Sequence, residues 1–268
     1  MRGRRQGAAL RLRGDIPRSL ALGLGVLGLA VLLGGWALVA STMGGESFLL
    51  PTPAATWDAF LELYRSGNLM TDLSASTQRI AIGYSISMAI AVVLGVAIAS
   101  FRSAESFFEP QIGFLRYIPA GALTPLFLLW LGIDEAPKIT LIVVGTVFFN
   151  ILMIADVARS VPQELVDASY TLGAGRLRVL RQVILPHSYP GIIDVARVNL
   201  AAGWLMLVIA ELLAAQEGLA YRVVRAQRTR SVDTMFAVLI IFGLIGLVSD
   251  LALRSLRKRT APWSEGSR

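Results

Sequence analysis

The chain is expected to be an all-α polytopic membrane protein with six transmembrane helices, and three features of its composition point there. Its mean hydropathy is +0.64. Of its 268 residues, 55% are hydrophobic and 16% charged, against about 45–50% and about 25% in soluble domains. The charges are also segregated, leaving long stretches with none. The apolar runs are continuous rather than alternating, which argues against membrane-spanning strands.

A helix needs about 20 apolar residues to cross about 30 Å of hydrocarbon. The segments 19–40, 80–100, 112–133, 139–158, 195–215 and 235–253 meet that length. Arg2, Arg4, Arg5, Arg11, Arg13 and Arg18 precede the first of them, which places the N-terminus in the cytoplasm. A cleaved signal peptide would also begin with basic residues. The apolar run here is about twice a usual signal core, however, and no small-residue cleavage site follows, so a retained helix is expected.

Threading six spans from that start puts Arg102, the arginines between 159 and 181, and Arg254, Arg257, Lys258 and Arg259 inside. The loop 41–77 falls outside, with Glu46, Asp58, Glu62 and Asp72 against Arg65. Both termini are therefore expected in the cytoplasm. Arg222, Arg225, Arg228 and Arg230 break this pattern by falling on the outer side. Their spacing suggests one basic helical face, either solvated at the interface or forming a positive rim that attracts an anion or an acidic partner surface.

In the second span Ser87, Ala91, Gly95 and Ala99 recur every fourth residue. Small residues let helix backbones approach in lipid, so this face is expected to pack on another helix. The third span carries Pro119 and Pro125 with Gly121 between, and should kink or break. Broken backbone at membrane depth occurs where it is buried in protein or lines a wet cavity. Arg116, Pro119 and Pro125 are thus candidates for a translocation pathway, with a kinked packing helix as the alternative. Arg116, Asp156, Arg197, Glu211 and Asp250 are the ionisable residues within the spans, each near an end. Asn150, Asn199, Trp204 and Glu211 complete the pathway candidates.

Other chemistry is poorly supplied. Cysteine is absent and His187 is the single histidine, so no metal site, disulfide framework or cysteine nucleophile is expected. No phosphate loop of the Gly-x-x-x-x-Gly-Lys-Ser/Thr type occurs. An enzyme is not expected, nor any cofactor in this chain. The net charge of +7 comes from arginines flanking apolar spans, where orientation signals belong, so no nucleic-acid partner is expected. An ion-coupled secondary transporter is the alternative to be weighed, although no buried acidic chain and no inverted repeat is visible.

Between spans four and five lies a polar, arginine-rich segment. Ser160 is expected to cap a helix with Gln163 three residues on and Pro162 in its first turn. That helix runs to Leu172, and Gly173 stops it. A second helix should run from Arg176 to Leu185 and end near Pro186. Ordinary loops are about 4–6 residues and need no paired helices. Such a pair could seat in a partner's groove or rest on anionic headgroups.

The residues of this segment resemble a known pattern. The cytoplasmic loop of ABC importer permeases reads Glu-Ala-Ala, three residues, Gly, nine residues, Ile, one residue, Leu-Pro. Here Asp167, Ala168, Ser169, Leu172, Gly173, Val183, Leu185 and Pro186 stand in that register. The rest of the chain, from Leu50 to Leu253, is similar to the nitrate/sulfonate/taurine branch of that family. The matching stretches are Leu50-Pro51-Thr52-Pro53, Thr77-Gln78-Arg79-Ile80-Ala81-Ile82-Gly83-Tyr84, Leu128 to Ile133, Ala210-Glu211-Leu212-Leu213, Gly218-Leu219, and Gly243 to Gly246 with Asp250.

The resemblance implies a type I ABC importer permease (MetI-like) fold. Residues 1–18 would be a basic cytoplasmic N-terminus, 19–253 the transmembrane permease domain with its coupling loop at 159–190, and 254–268 a cytoplasmic tail. It further implies a bacterial inner-membrane permease that pairs with a second copy, binds an ABC ATP-binding subunit, which holds the ATP, and receives a small anion such as nitrate, sulfonate or taurine from an extracytoplasmic binding protein. Asp167 to Gly173 would then be the helix that couples ATP hydrolysis to the pathway.

Overall fold

The computed structural model describes residues 16–42 and 49–263. The arginines at 2, 4, 5, 11 and 13, Glu46 and the last five residues of the tail lie outside them. Among the described residues the secondary structure is helical throughout.

Helix α1 (Arg18–Thr42) is apolar on every side and touches the bundle only near its end. There Trp36 donates its indole N–H to the Pro51 carbonyl at 3.0 Å and stacks on Phe236, while Ala40 is fully buried. A helix hydrophobic all round with no protein covering it is suited to lipid or to another subunit.

The described part of the expected outer loop 41–77 is largely helical instead. Thr52 caps α2 (Pro53–Arg65) through a 3.2 Å bond from the Ala55 N–H, and Pro53 opens its first turn. Thr56, Ala59 and Leu63 face inward. The second span, α3, begins at Asn68 rather than at 80 and runs to Ser100. Hydropathy missed its first three turns because Asp72, Ser76 and Arg79 are polar, yet all three are buried in protein.

The centre of the bundle is α3 against α6 (Glu135–Arg159) and α9 (Leu185–Ala214). The small-residue face of α3 makes the first contact, as its spacing indicates. Ser87 and Ala91 are fully buried, and a Cβ on Gly95 would lie 2.7 Å from the Ile151 carbonyl oxygen.

The third span breaks. Helix α4 (Arg102–Leu115) is followed by residues 116–119, a 3-10 turn (Ala120–Leu123) and α5 (Thr124–Leu131), and the two arms bend by 79°. Pro119 precedes the 3-10 turn and Pro125 opens α5, so neither proline removes a needed hydrogen bond. Among the described residues there are thus five helices long and apolar enough to span a membrane, or six if this bent pair counts as one.

Between α6 and α9, α7 (Gln163–Thr171) and α8 (Arg176–Val179) form the polar segment. Two expectations fail here. Ser160 does not cap α7; its amide closes α6 onto Asp156 and Val157, and Gln163 bonds forward to Asp167. Nor does Pro186 end a helix. A π turn (Leu180–Ile184) joins α8 to α9, with the Leu185 N–H bonded to the Leu180 carbonyl. This wider turn carries the helix past the proline, whose missing N–H would interrupt a regular ladder. The chain then closes with α10 (Leu219–Arg228) and α11 (Val232–Thr260).

Candidate functional site

Three polar features stand on this apolar scaffold, one at each end of the bundle and one at its middle. At the first end, α7 buries none of its residues. It terminates as glycine-capped helices do. Gly173 sits at φ +80°, its N–H reaches the Tyr170 carbonyl, and the Ala174 N–H reaches Ser169. Asp167 and Ala168 are exposed, and Leu172 at the tip is 88% exposed. Leu165, Tyr170 and Leu177 are exposed beside it. The second half of the motif faces the other way. Leu185 packs on the core with Leu180 and Ile184, and Val183 is half-buried, while Pro186 is exposed. One half of the pattern is therefore presented outward and the other anchors it to the bundle.

The middle feature is a chain of hydrogen bonds linking α3, α6 and α9. Asn199 donates to the Asn150 side-chain oxygen at 2.7 Å, Asn150 donates to Ser87 at 3.0 Å, and Thr146 meets Ser87 at 2.7 Å. Asn150 is fully buried and Asn199 half-buried. One turn on, Trp204 packs edge-on against Phe242, and its indole N–H has no partner. It lies between an open groove of about 700 Å³ shared by α9, α10 and α11 and a smaller one of about 370 Å³ between α3, α9 and α11. Arg116, Pro119 and Pro125 are elsewhere, at the break of the third span, where Arg116 lies over the Tyr117 ring at 4.9 Å.

At the far end Glu211 is buried in an ionic cluster. One of its oxygens accepts from Ser76 at 2.7 Å and from Arg79 at 2.9 Å, and the other accepts from the Ala220 N–H at 2.9 Å. Arg79 also grips Glu135 and the Glu217 carbonyl, and Lys138 joins Glu135 at 2.7 Å. Beside it Asp72 accepts from the Gly218 N–H at 2.9 Å and from Arg222 at 2.6 Å. Charges this deep persist only when paired and hydrogen-bonded, and here they are. Gly218 has φ +125°, and a Cβ there would lie 2.5 Å from the Glu211 carboxyl.

Two corrections follow from this cluster. Arg222 is not part of an exposed basic face; it is 9% exposed and paired with Asp72, which leaves Arg225 and Arg228 outside. Asp72, expected as an acid of the outer loop, is instead buried here, and Ser76, Glu135 and Lys138 are cluster members that the sequence did not single out. Asp72, Ser76 and Arg79 share one helical face at i, i+4 and i+7, a polar stripe leading into an apolar helix. That stripe was the available signal.

No grouping of His, Asp or Glu suited to a metal ion occurs among the described residues. Paired helices offered at one end, a broken span and a polar seam through the middle define a multi-pass helical protein of membrane transport. The chain belongs to the binding-protein-dependent transport system inner membrane components, whose family model matches residues 87–262. It is a permease subunit of a binding-protein-dependent ABC importer, not an enzyme.

A probable ABC transporter permease protein of Brucella abortus (strain 2308) is 35% identical over 92% of this chain and 98% of its own. The taurine transport system permease protein of Escherichia coli (strain K12) is 32% identical over 95% of this chain and 94% of its own. A solved bacterial ABC transporter that imports the acidic polysaccharide alginate shares the fold at TM-score 0.66 and 13% identity, over 91% of this chain and 96% of that one. These relationships support an ABC permease and not an ion-coupled carrier.

Proposed function

We propose that α7 with Gly173 is the coupling helix of this permease, seating in a groove of the ATP-binding subunit, and that the cargo is a small solute bearing a sulfonate or similar anionic group. The observation that carries the first part is the outward presentation of α7, with Leu172 88% exposed at its tip while Leu180, Ile184 and Leu185 hold the segment to the core. Burying an exposed leucine is favourable by about 1.5–3 kcal/mol, so Leu172 is an anchor awaiting a pocket. Taurine transport by a relative 32% identical supports the cargo class.

In this reading the α7 end faces the cytoplasm, in accord with the arginines around it and with Arg254, Arg257, Lys258 and Arg259 in the last turns of α11. The Arg79–Glu211 end then faces the binding protein. A second copy of the chain covers the apolar faces of α1 and of α5, where Leu126, Leu129 and Trp130 are exposed. Arg116, Pro119, Pro125, Asn150, Asn199 and Trp204 contribute to the pathway between the copies. Glu211, locked to Arg79, shapes its outer end without meeting the cargo.

Co-expression with its genomic neighbours tests the docking. An ATPase subunit should stay bound through detergent purification of the unaltered chain and be lost from Leu172→Asp. Retention by Leu172→Asp would overturn the assignment. Uptake of labelled taurine by the reconstituted complex, competed by alkanesulfonates and by nitrate, separates the cargo classes.

A further inference from the structure

Arg159 is the last residue of α6, and the chain reaches α7 only four residues later. Its guanidinium does not point toward α7. It reaches across to α4, bonding Glu105 at 3.0 Å and also Glu109, with Asp156 of its own helix at 3.3 Å. Arg102 takes the other oxygen of Glu105 at 2.8 Å. Here three carboxylates face two guanidiniums, and only Arg159 bridges the two helices.

Two further facts give this bridge weight. Helix α4 buries a single residue, Ile112, and rests on the core otherwise through half-buried Phe108. Little apolar packing therefore holds it in place. In addition, a cavity of about 660 Å³ separates the start of α4, the end of α6 and α7, lined by Arg102, Arg159, Gln163, Tyr170 and Arg176. Helix α7 thus has no broad packed contact through which to push α4 directly. One of its two chain connections to the bundle runs forward through α8 to the π turn; the other runs back through Pro162 and buried Val161 to Ser160, whose N–H is tied to the last turn of α6 beside Arg159.

We infer that Arg159 is the residue that transmits movement of the coupling helix to the broken third span, by holding Glu105 and Glu109 of α4. Displacement of α7 re-aims the end of α6. Arg159 carries α4 with it, and α4 levers the break at 116–119. Without Arg159 the remaining carboxylates repel across the same gap, and α4 is released from α6. Arg159 touches no cargo; it is a positioning residue. The inference rests on the docking reading above.

The chain has no cysteine, so one can be introduced as a reporter. Phe114, in the last turn of α4, is 69% exposed. Phe114→Cys in the complete complex is reacted with a maleimide, nucleotide-free and trapped with ATP and vanadate. A rate difference of at least about threefold is expected, collapsing in Arg159→Gln while ATP hydrolysis continues, and surviving in Arg159→Lys. A difference that persists in Arg159→Gln, or none in the unaltered background, overturns the inference. Should Arg159→Gln fail to assemble, the double variant Glu105→Gln/Glu109→Gln is read by the same criterion. An unaltered chain that retains no ATPase subunit would overturn the docking reading itself, a distinguishable result.

Discussion

Arg79 and Glu211 meet at 2.9 Å across 132 residues of chain, with side chains 3% and 0% exposed. That contact joins α3 to α9. Through Glu135 it reaches the start of α6, and through the Ala220 N–H the start of α10. Four helices are thereby fixed relative to one another at a single point.

Removing one side of this pair should be far worse than removing both. Glu211→Leu leaves Arg79 short of a partner and strands Ser76 and the Ala220 N–H. We expect a loss of about 3 kcal/mol or more, read as a lower temperature of aggregation in detergent. Replacing the buried charges together, Arg79→Leu with Glu211→Leu, should recover part of that loss. A double variant as unstable as the sum of the singles would count against the pair.

Two glycines separate close approach from open space. At Gly95 a Cβ meets the Ile151 carbonyl oxygen at 2.7 Å, so Gly95→Ala must push α3 off α6, at about 1–3 kcal/mol. At Gly243 nothing lies within 4 Å, and Gly243→Ala should be neutral or stabilise by up to about 1 kcal/mol. Thermal scans of the two variants in the same detergent check the contrast.

Gly173→Ala meets no obstruction, since nothing lies within 4 Å, but its φ of +80° disfavours a side chain by about 1–2 kcal/mol. The effect should be local. Uptake and ATPase retention are expected to fall while the melting temperature of the bundle stays within error. Gly173→Asn, which tolerates this conformation, should be milder.

Asn199→Leu removes the 2.7 Å bond to Asn150. Hydrogen bonds between membrane helices contribute about 0.6 kcal/mol on average, so stability should change little. Uptake should nonetheless fall severalfold if the polar seam serves the pathway. Wild-type uptake from a folded Asn199→Leu variant would remove it from the pathway.

The membrane class, the number of spans, the break at Pro119 and Pro125, the packing face of α3 and the turn at Gly173 were all readable in one dimension. Each rests on local physics: the thickness of hydrocarbon, the missing N–H of proline, the freedom of glycine. The places where reading failed share a different cause. Asp72 and Ser76 look like part of a polar outer loop, with Arg79 at the entry to the second span, because hydropathy scores a residue by its own chemistry and not by the partners it will find. Their burial depends on Glu211 and Arg222, which arrive more than 130 residues later.

The same holds for Arg222, whose spacing suggested a solvated basic face until Asp72 claimed it. Pro186 looked like a helix end because proline ordinarily removes a bond from the ladder; the π turn before it, set where Leu180, Ile184 and Leu185 pack on the core, admits it without a break. Local covalent and solvation rules act over a few residues and are written in the sequence directly. Ion pairing at depth is a cooperative outcome of helices already assembled, so its members become visible only once the helices stand side by side.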